Sequence, residues 1–357
     1  MKKIILFQLL LMTFYACADK SNPNGKILHV DKTNYEEWDS LMVIDNIIAF
    51  EDTLTVPQLS IAKKCIVGKQ RILFWDYKAK LVYAYGTNGN YLFTLGGIGH
   101  ADNEYVDLSD VAFSPDQTKI MLLDKTGLKT YDAQNGRFLY KKEFEGIKTS
   151  SIKGFLPCIN NEYLLFTPEE EYSICKIDSN NKIIPLRKRL GYQMIYNRFS
   201  STNGMYEVLP DYGQFSIDMV QENRILPKYS IDLGDDALPA DLIPKDFHHF
   251  EEVDNMKEYF KVILNYYEND NALYMSMVGP NQDYYDLLYI KKRNHLYVGP
   301  HDKKNNIVIT GMDNSYIYGL IYLDYVEPES PLYSILGPYT EKKNRNPLIV
   351  KMKLFDK

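Results

Sequence analysis

The sequence predicts an all-β protein made of one repeated unit. Residues 81–95 contain two apolar runs that flank Asn88 and Gly89. Asn-Gly supplies the positive φ angles of a tight hairpin turn, and the aromatic and β-branched neighbours favour extended backbone. Similar hairpins recur at Asn135, Asn181 and Asn223. The period of about 45 residues is typical of propeller blades.

A second repeated feature is an apolar strand that precedes each hairpin. Six such strands follow polar turns: Arg71–Trp75, Lys119–Leu123, Glu162–Phe166, Met205–Leu209, Ala272–Ser276 and Asn306–Thr310. Six units of four antiparallel strands close into a β-propeller, which hides most sheet edges by radial packing. The sequence therefore predicts a six-bladed β-propeller.

The period breaks once, between the hairpins at Asn223 and Asn294. Residues 238–261 lie in this gap and carry the apolar spacing of a helix, at Phe250, Val253, Met256 and Phe260. We interpret them as a short helical insertion between two blades.

Both ends of the repeat region carry strand patterns, which predicts how the ring closes. Residues 346–355 alternate between apolar and polar side chains. Either residues 40–44 or residues 47–50 are expected to complete the same final blade. Because this closure joins distant residues, we expect 40–357 to form one domain.

The N-terminus has the pattern of an export signal. Lys2 and Lys3 precede an apolar run from Ile4 to Tyr15, which is too short to span a bilayer. It ends in Phe14-Tyr15-Ala16-Cys17, which resembles a bacterial lipobox. We therefore expect residues 1–17 to be a signal peptide ending at the lipidation site Cys17, and 18–39 to be a flexible tether.

The same residues allow a second interpretation. Ala16-Cys17-Ala18 also fits an A-x-A site for ordinary signal peptidase, which would leave a soluble protein that starts at Asp19. The lipoprotein interpretation predicts attachment to a bacterial membrane, the outer membrane in preference, with a periplasmic or surface-exposed body.

Three further cysteines, Cys65, Cys158 and Cys175, lie in the repeat region. Cys158 and Cys175 are predicted on the first and third strands of one unit, with a strand between them. The first and third strands of a sheet lie about twice the ~4.8 Å strand spacing apart, which is beyond the reach of a disulfide. We expect three buried, reduced thiols.

The charge pattern excludes a nucleic-acid partner. The formal net charge is −6 and the pI is near 5.6, whereas phosphate binding needs a concentrated basic surface. The basic clusters at 187–189 and 342–345 are interpreted as solvated turns. We expect a monomer.

Three segments resemble a known family. They are Phe93–Gly99, Asn103–Tyr105 and Asp110–Asp116, and together they look like the linker and second-blade start of the six-bladed β-propeller lipoproteins of Bacteroidetes. NHL-type propellers are looser relatives by blade pattern. The resemblance implies an envelope propeller and names no activity. The chain departs from the family pattern at His100–Asn103, where a Pro-Gly step is usual.

The linker between blades 1 and 2 is the candidate binding site, since propellers bind partners on the loops of one face. We expect His100, Asp102, Glu104 and Tyr105 to contact a glycan, a peptide or an envelope protein. The alternative is that Gly96, Gly97 and Gly99 only form a tight turn, which Glu104 and Tyr105 anchor.

Catalysis is the alternative function. Asp110, Asn197 and Asn265 open the innermost strands of three units and are the candidate ligands of a calcium-dependent lactonase or lyase propeller. His248 and His249 are adjacent and point apart, so one ion is not expected to take both. The chain has no Gly-x-Ser-x-Gly elbow, His-Glu-x-x-His or phosphate-binding glycine loop. The favoured expectation is a non-catalytic binding protein without a cofactor.

Overall fold

A computed structural model describes residues 25–31, 41–301, 303, 305–341 and 346–354. Six antiparallel sheets of four strands fill this part of the chain, and one of them gains a fifth strand. The prediction of a six-bladed β-propeller with four-stranded blades is confirmed. Cys17, the remainder of the signal segment and the basic residues 342–345 lie outside the described residues.

The first three blades follow one another along the chain. Two strands come before them, β1 (Lys26–His29) and β2 (Met42–Ala49). Blade 1 consists of β3 (Ala62–Val67), β4 (Arg71–Asp76), β5 (Val82–Gly86) and β6 (Tyr91–Leu95). Blade 2 consists of β7 (Leu108–Phe113), β8 (Lys119–Asp124), β9 (Gly127–Asp132) and β10 (Phe138–Lys142). Blade 3 consists of β11 (Gly154–Pro157), β12 (Tyr163–Phe166), β13 (Tyr172–Ile177) and β14 (Ile183–Lys188).

The other three blades include the additional strand and the closing strand. Blade 4 consists of β15 (Phe199–Thr202), β16 (Met205–Val208), β17 (Ser216–Gln221) and β18 (Arg224–Asp232), with β1 beside β18. Blade 5 consists of β19 (Val262–Glu268), β20 (Ala272–Val278), β21 (Tyr284–Ile290) and β22 (His295–Pro300). Blade 6 consists of β23 (Val308–Met312), β24 (Ile317–Ile321), β25 (Leu348–Leu354) and β2.

The ring closes by pairing the two ends of the repeat region. Strand β2 lies antiparallel to β25, with Met42 opposite Leu354 and Ala49 opposite Leu348. The predicted closure of one blade from both ends is confirmed, and a single strand covers both of the segments that the sequence offered.

Successive strands are antiparallel, so their connections alternate between the two faces of the ring. The links between blades and the turns between second and third strands share one face, which we call the linker face. The turns between first and second strands and between third and fourth strands share the other, which we call the hairpin face. The Asn-Gly hairpins therefore lie opposite the linker that the sequence marks as a site.

The hairpin turns have the backbone that their residues predict. Gly89 and Gly136 have φ of +88° and +71°, and Asn181 and Asn294 have φ of +62° and +49°. At the fourth hairpin the left-handed residue is Glu222, with φ of +55°, one position before the predicted Asn223. Gly tolerates this region because it has no Cβ, and Asn does so because its short polar side chain can hydrogen-bond to the local backbone.

The apolar core lies between the blades. Among the described residues, six of the seven buried clusters combine side chains from two neighbouring blades, and the seventh surrounds the helical insertion. Between blades 1 and 2, for example, Leu73 and Trp75 pack with Leu122 and Tyr131. Burial of apolar area contributes about 25 cal/mol per Å². A blade therefore depends on both of its neighbours for its core.

Two helices interrupt the blades on the linker face. The predicted insertion contains α1 (Phe247–Asp254), which begins where Asp246 accepts a 2.9 Å hydrogen bond from the His249 amide. A second insertion, between β24 and β25, contains α2 (Pro331–Glu341) and was not predicted. Pro338 and Gly337 obscure its helical pattern, yet Leu332 and Leu336 lie in the core between blades 5 and 6. Seven short 3-10 helices complete the described elements: Thr149–Ser151, Ile159–Asn161, Gly234–Asp236, Ala240–Leu242, Pro280–Gln282, Lys291–Arg293 and Leu323–Tyr325.

Residues 306–310, one of the six predicted apolar strands, overlap β23, which is the first strand of blade 6, whereas the other five are second strands of their blades. Residues 26–29, which fall within the predicted tether, form β1 and pair with blade 4. The apolar residues Ile27 and Leu28 are too few to reveal a strand by periodicity.

The cysteine predictions are confirmed. Cys158 follows β11 and Cys175 lies on β13, with β12 between them. All three described thiols are buried and free. Burial raises the pKa of Cys65 and Cys158 to about 12, so both remain protonated at neutral pH.

Gly89 provides a test of ring closure. A Cβ at Gly89 would lie 1.9 Å from the Ala49 carbonyl oxygen at the end of β2, and φ is already left-handed. We expect Gly89→Ala to lower the free energy of unfolding by about 2 kcal/mol or more. Urea denaturation of the purified protein measures this. Gly97→Ala is the matched control, because a Cβ there meets nothing within 4 Å. Equal stability of the two variants would contradict the packing described.

Candidate functional site

The linker between blades 1 and 2 folds back on itself. The Tyr105 amide donates to the Gly97 carbonyl at 2.8 Å, and the Gly99 amide donates to the Tyr105 carbonyl at 3.1 Å. These two bonds hold residues 97–99 beside Tyr105 as a short parallel bridge. The intervening residues 100–104 project as a compact loop.

Glu104 and Gly99 form the interior of this loop. The Ala101 amide donates to Glu104 Oε2 at 3.0 Å. A Cβ at Gly99 would lie 2.0 Å from that same oxygen, so any other residue there would displace the carboxylate from this position. At Gly96 the backbone is left-handed, with φ of +59°. The glycines and Glu104 therefore shape the loop, as the structural alternative proposed.

The four predicted contact residues differ in exposure. His100 and Asp102 are exposed, and Glu104 is half-buried. Tyr105 is 1% exposed and packs in the core between blades 1 and 2, where burial raises its pKa to about 12. Because its side chain does not reach the surface, the prediction that Tyr105 contacts a ligand is wrong. Apolar neighbours on both blades explain its position.

A small cavity of about 70 Å³ adjoins the loop. Its wall combines the linker with the β8–β9 turn and the outer strands of blade 2. The charged and polar lining residues are His100, Asp102, Glu104, Asp124, Thr126, Lys129 and Lys141. The structure thus brings three predicted residues together with four that the sequence analysis missed.

Lys129 and Asp124 form a buried ion pair in this cavity. Lys129 Nζ lies 2.9 Å from Asp124 Oδ1 and 2.8 Å from Thr126 Oγ1, and both charged side chains are almost fully buried. Burial alone would raise the pKa of Asp124, but hydrogen bonds from Lys129 and Thr126 outweigh it and the pKa is lowered. Asp124 is therefore ionised at neutral pH, and both residues line the cavity.

The candidate calcium ligands have structural contacts. Asp110 lies on the innermost strand of blade 2 and accepts from Lys64 Nζ at 2.8 Å and from the Phe155 amide at 3.0 Å. It therefore ties blades 1, 2 and 3 together. Asn265, on the innermost strand of blade 5, donates to Ser276 Oγ at 3.0 Å, and Asn197 precedes β15. Within the described ranges, no three His, Cys, Asp or Glu side chains are arranged to hold a metal.

The adjacent histidines lie on α1 and behave as separate residues. His248 Nε2 lies 3.5 Å from Glu252 Oε1 on the helix surface. His249 Nδ1 lies 3.4 Å from the Lys245 amide at the helix start. Each ring therefore has its own partner.

Exposed apolar side chains concentrate on the linker face. Among the described residues, eighteen large hydrophobic side chains are exposed, and eleven of them lie on this face. The hairpin face has two, Ile159 and Met205, and the rest lie on strands. The eleven are Leu54, Ile61, Tyr77, Ile98, Leu190, Ile195, Phe247, Tyr284, Tyr325, Tyr333 and Ile335.

This asymmetry was not predicted, although the sequence carries a signal for it. Leu190 and Ile195 are apolar residues in a link between blades, where no strand accounts for them. Loops usually carry polar residues, so apolar residues in the links between blades indicate an interaction surface.

The described residues include no helix long and apolar enough to cross a bilayer.

Comparison with known proteins identifies a family. The family model DUF5128, described as "6-bladed beta-propeller", matches residues 16–311. Among curated proteins, none matches the chain at a significant level.

Solved structures share the fold at low sequence identity. A Bacteroides fragilis protein described as exported has a TM-score of 0.73 and 15% identity, covering 93% of this chain and 99% of its own. A duf4221 family member from Bacteroides vulgatus has a TM-score of 0.59 and 10% identity, with coverages of 88% and 98%. At such identities the likeness concerns the fold alone.

The buried ion pair can be tested by removing its cation. We expect Lys129→Met to lower the free energy of unfolding by about 3 kcal/mol at pH 7, because Asp124 remains charged and buried. The folded-state pKa of Asp124 is lowered, so its contribution is present at neutral pH and is lost as pH falls through that pKa, below about 3.9. The difference between the proteins should therefore shrink in acid. Urea denaturation at pH 7 and pH 3.5 measures it.

Lys141→Met is the matched control for this prediction. Lys141 pairs with Glu143 at 2.9 Å, and the Glu143 side chain is largely exposed. Exposed pairs contribute less than about 1 kcal/mol. Equal destabilisation by the two substitutions would show that the buried pair contributes no more to the free energy of unfolding than the exposed pair.

Proposed function

The chain belongs to the DUF5128 family of six-bladed β-propellers, and we propose that it is a lipid-anchored envelope protein that binds a partner protein through its linker face. The role is one of binding, without catalysis. The propeller supplies a rigid ring, and the connections on one face supply the contact surface.

Sequence and relatives support the location. Lys2, Lys3 and the apolar run that follows are typical of an export signal, and Cys17 follows in a lipobox-like position. A structural neighbour from Bacteroides fragilis is described as exported. We propose lipidation at Cys17 and attachment to the outer membrane through residues 18–24.

One observation carries the binding proposal: exposed apolar side chains gather on the linker face. Tyr77, Ile195 and Tyr284 are 63%, 64% and 54% exposed, and they come from blades 1, 4 and 5 or the links next to them. Contiguous exposed apolar residues mark interaction surfaces, and the proposal takes the side chains of this face to form one.

The composition of this surface favours a protein over a glycan. The exposed residues there include aliphatic side chains, such as Leu54, Leu190 and Ile335, as well as tyrosines. Sugar rings stack on aromatic side chains, whereas protein interfaces bury aliphatic and aromatic residues together. His100 and Asp102 lie on the same face and supply polar contacts at its rim.

A binding role also agrees with the contacts of the inner strands. Asp110 uses both carboxylate oxygens to join strands of three blades. The calcium-dependent enzyme stays an untested prediction, and no contact among the described residues favours it.

The binding proposal is tested by capture from envelope extracts with the full chain as bait. We expect the triple substitution Tyr77→Ser, Ile195→Ser and Tyr284→Ser to reduce the captured partner at least tenfold, because it removes apolar contacts on one face. Quantitative mass spectrometry measures the partner against the unchanged chain.

The control for capture is the hairpin face. Ile159→Ser with Met205→Ser removes two exposed apolar side chains there, 57% and 42% exposed. Full capture by this variant and loss by the linker-face variant are expected. Loss by the hairpin-face variant alone would contradict the assignment of the face, and thermal denaturation verifies that both variants fold.

The anchor is tested separately. We expect Cys17→Ala to move the protein from the membrane pellet to the soluble fraction after cell lysis and high-salt washing. Continued recovery in the pellet would contradict lipid attachment at this residue.

A further inference from the structure

Strand β1 adds a fifth strand to blade 4, and its position fixes where the N-terminal segment leaves the propeller. It pairs in parallel with β18, with Lys26 opposite Tyr229 and His29 opposite Asp232. The Val30 amide extends the pairing by donating to the Asp232 carbonyl at 2.9 Å. The next strand of the chain, β2, belongs to blade 6, so two blades hold the N-terminal part separately.

Side chains of β1 bind specifically to blades 4 and 5. Leu28 is 3% exposed and lies in the apolar core between these blades. Lys26 Nζ donates to Tyr289 Oη and, at 2.9 Å, to Asn294 Oδ1, both in blade 5. His29 Nδ1 lies 2.7 Å from Asp232 Oδ2 in blade 4. Strand β1 therefore contacts both blade 4 and blade 5, and not only the edge of blade 4.

The start of the strand requires glycine. Gly25 has φ of +69°, and a Cβ there would lie 2.9 Å from the backbone of Lys228. The backbone at Gly25 therefore lies too close to β18 for a side chain to fit between them. Burying a leucine contributes about 1.5–3 kcal/mol, so the four-residue strand is held firmly by its own contacts.

The direction of β1 determines the face at which the chain exits. Strand β18 leaves its hairpin at Asn223 and reaches the linker face at Asp232. Because β1 runs parallel to it, Gly25 points toward the hairpin face and Val30 toward the linker face.

We propose that β1 orients the anchored propeller, with the hairpin face of blades 4 and 5 toward the membrane and the linker face away from it. Gly25 follows Cys17 by eight steps along the chain, and an extended chain spans at most about 3.6 Å per step. The exit point therefore stays within roughly 29 Å of the lipid surface. The apolar linker face is left open to a protein partner. This inference rests on the proposed function, both its anchor and its binding face.

Orientation is measured by energy transfer from a donor on one introduced cysteine to an acceptor lipid in vesicles. Lys292→Cys places the donor in the 3-10 helix at the blade 5 hairpin, and Asp235→Cys places it in the link after β18. Both positions are exposed. The three native thiols are buried, and the pKa of Cys65 and Cys158 is raised to about 12 by burial, so the introduced thiol reacts selectively.

The experiment uses two anchors so that failures can be distinguished. One protein carries its native lipid; the other has residues 1–17 replaced by hexahistidine and is bound to nickel-chelating lipid. If only the hexahistidine protein binds vesicles, the lipidation proposal fails and the orientation is still measured.

We expect at least twofold greater transfer efficiency from Lys292→Cys than from Asp235→Cys in the otherwise unchanged chain. Equal efficiencies, or greater transfer from Asp235→Cys, would overturn the proposal. Leu28→Asp combined with Gly25→Val should release β1 and abolish the difference. Hydrogen exchange shows whether residues 26–29 are unprotected in that variant. If they are unprotected and the difference in transfer persists, the proposal is also overturned. Thermal denaturation checks that the ring remains folded.

Discussion

Apolar contact between neighbouring blades is the constraint on which the rest of the structure depends. A four-stranded sheet has two faces, and here each face is covered by the next blade and not by a second layer of its own. No blade completes its core alone, so the six units need one another and the ring must close. The pairing of β2 with β25 meets that need with hydrogen bonds across the ends of the repeat region.

The same constraint divides the molecule into scaffold and surface. Strands carry the packing, so their residues have little freedom to change, while the connections change without loss of the core. The Asn-Gly hairpins are short and regular on one face. On the other face lie α1, α2 and the longer links, together with most of the exposed apolar side chains. The proposed recognition surface therefore lies where core packing restricts the choice of residues least.

Sequence reasoning succeeded where a local rule and the global repeat agree. Asn88-Gly89 and its repeats predict turns by backbone conformation, and their spacing predicts the number of blades. It failed where tertiary contact decides. Strand β1 is defined by its partner β18, Tyr105 is buried because two blades meet over it, and α2 contains proline and glycine yet packs by Leu332 and Leu336. Of the candidate site, the loop at His100 was predictable from its glycines. The buried partners Lys129 and Asp124 were not, since nothing in a strand pattern marks a charge as internal.

Closure by β2 and β25 also sets an order of events during folding. Strand β2 is synthesised before all six blades are complete, but its partner, residues 348–354, is synthesised more than 290 residues later, a separation read from the paired residues Ala49 and Leu348. Until β25 is available, β2 has an unpaired edge, and the apolar surfaces through which blades 1 and 6 pack together are exposed. Such a state is prone to aggregation. The contacts that complete the ring are among the most distant in the chain, and such contacts form slowly. Folding of this propeller therefore finishes only after residues 348–354 are available, and a chain without them cannot close the ring.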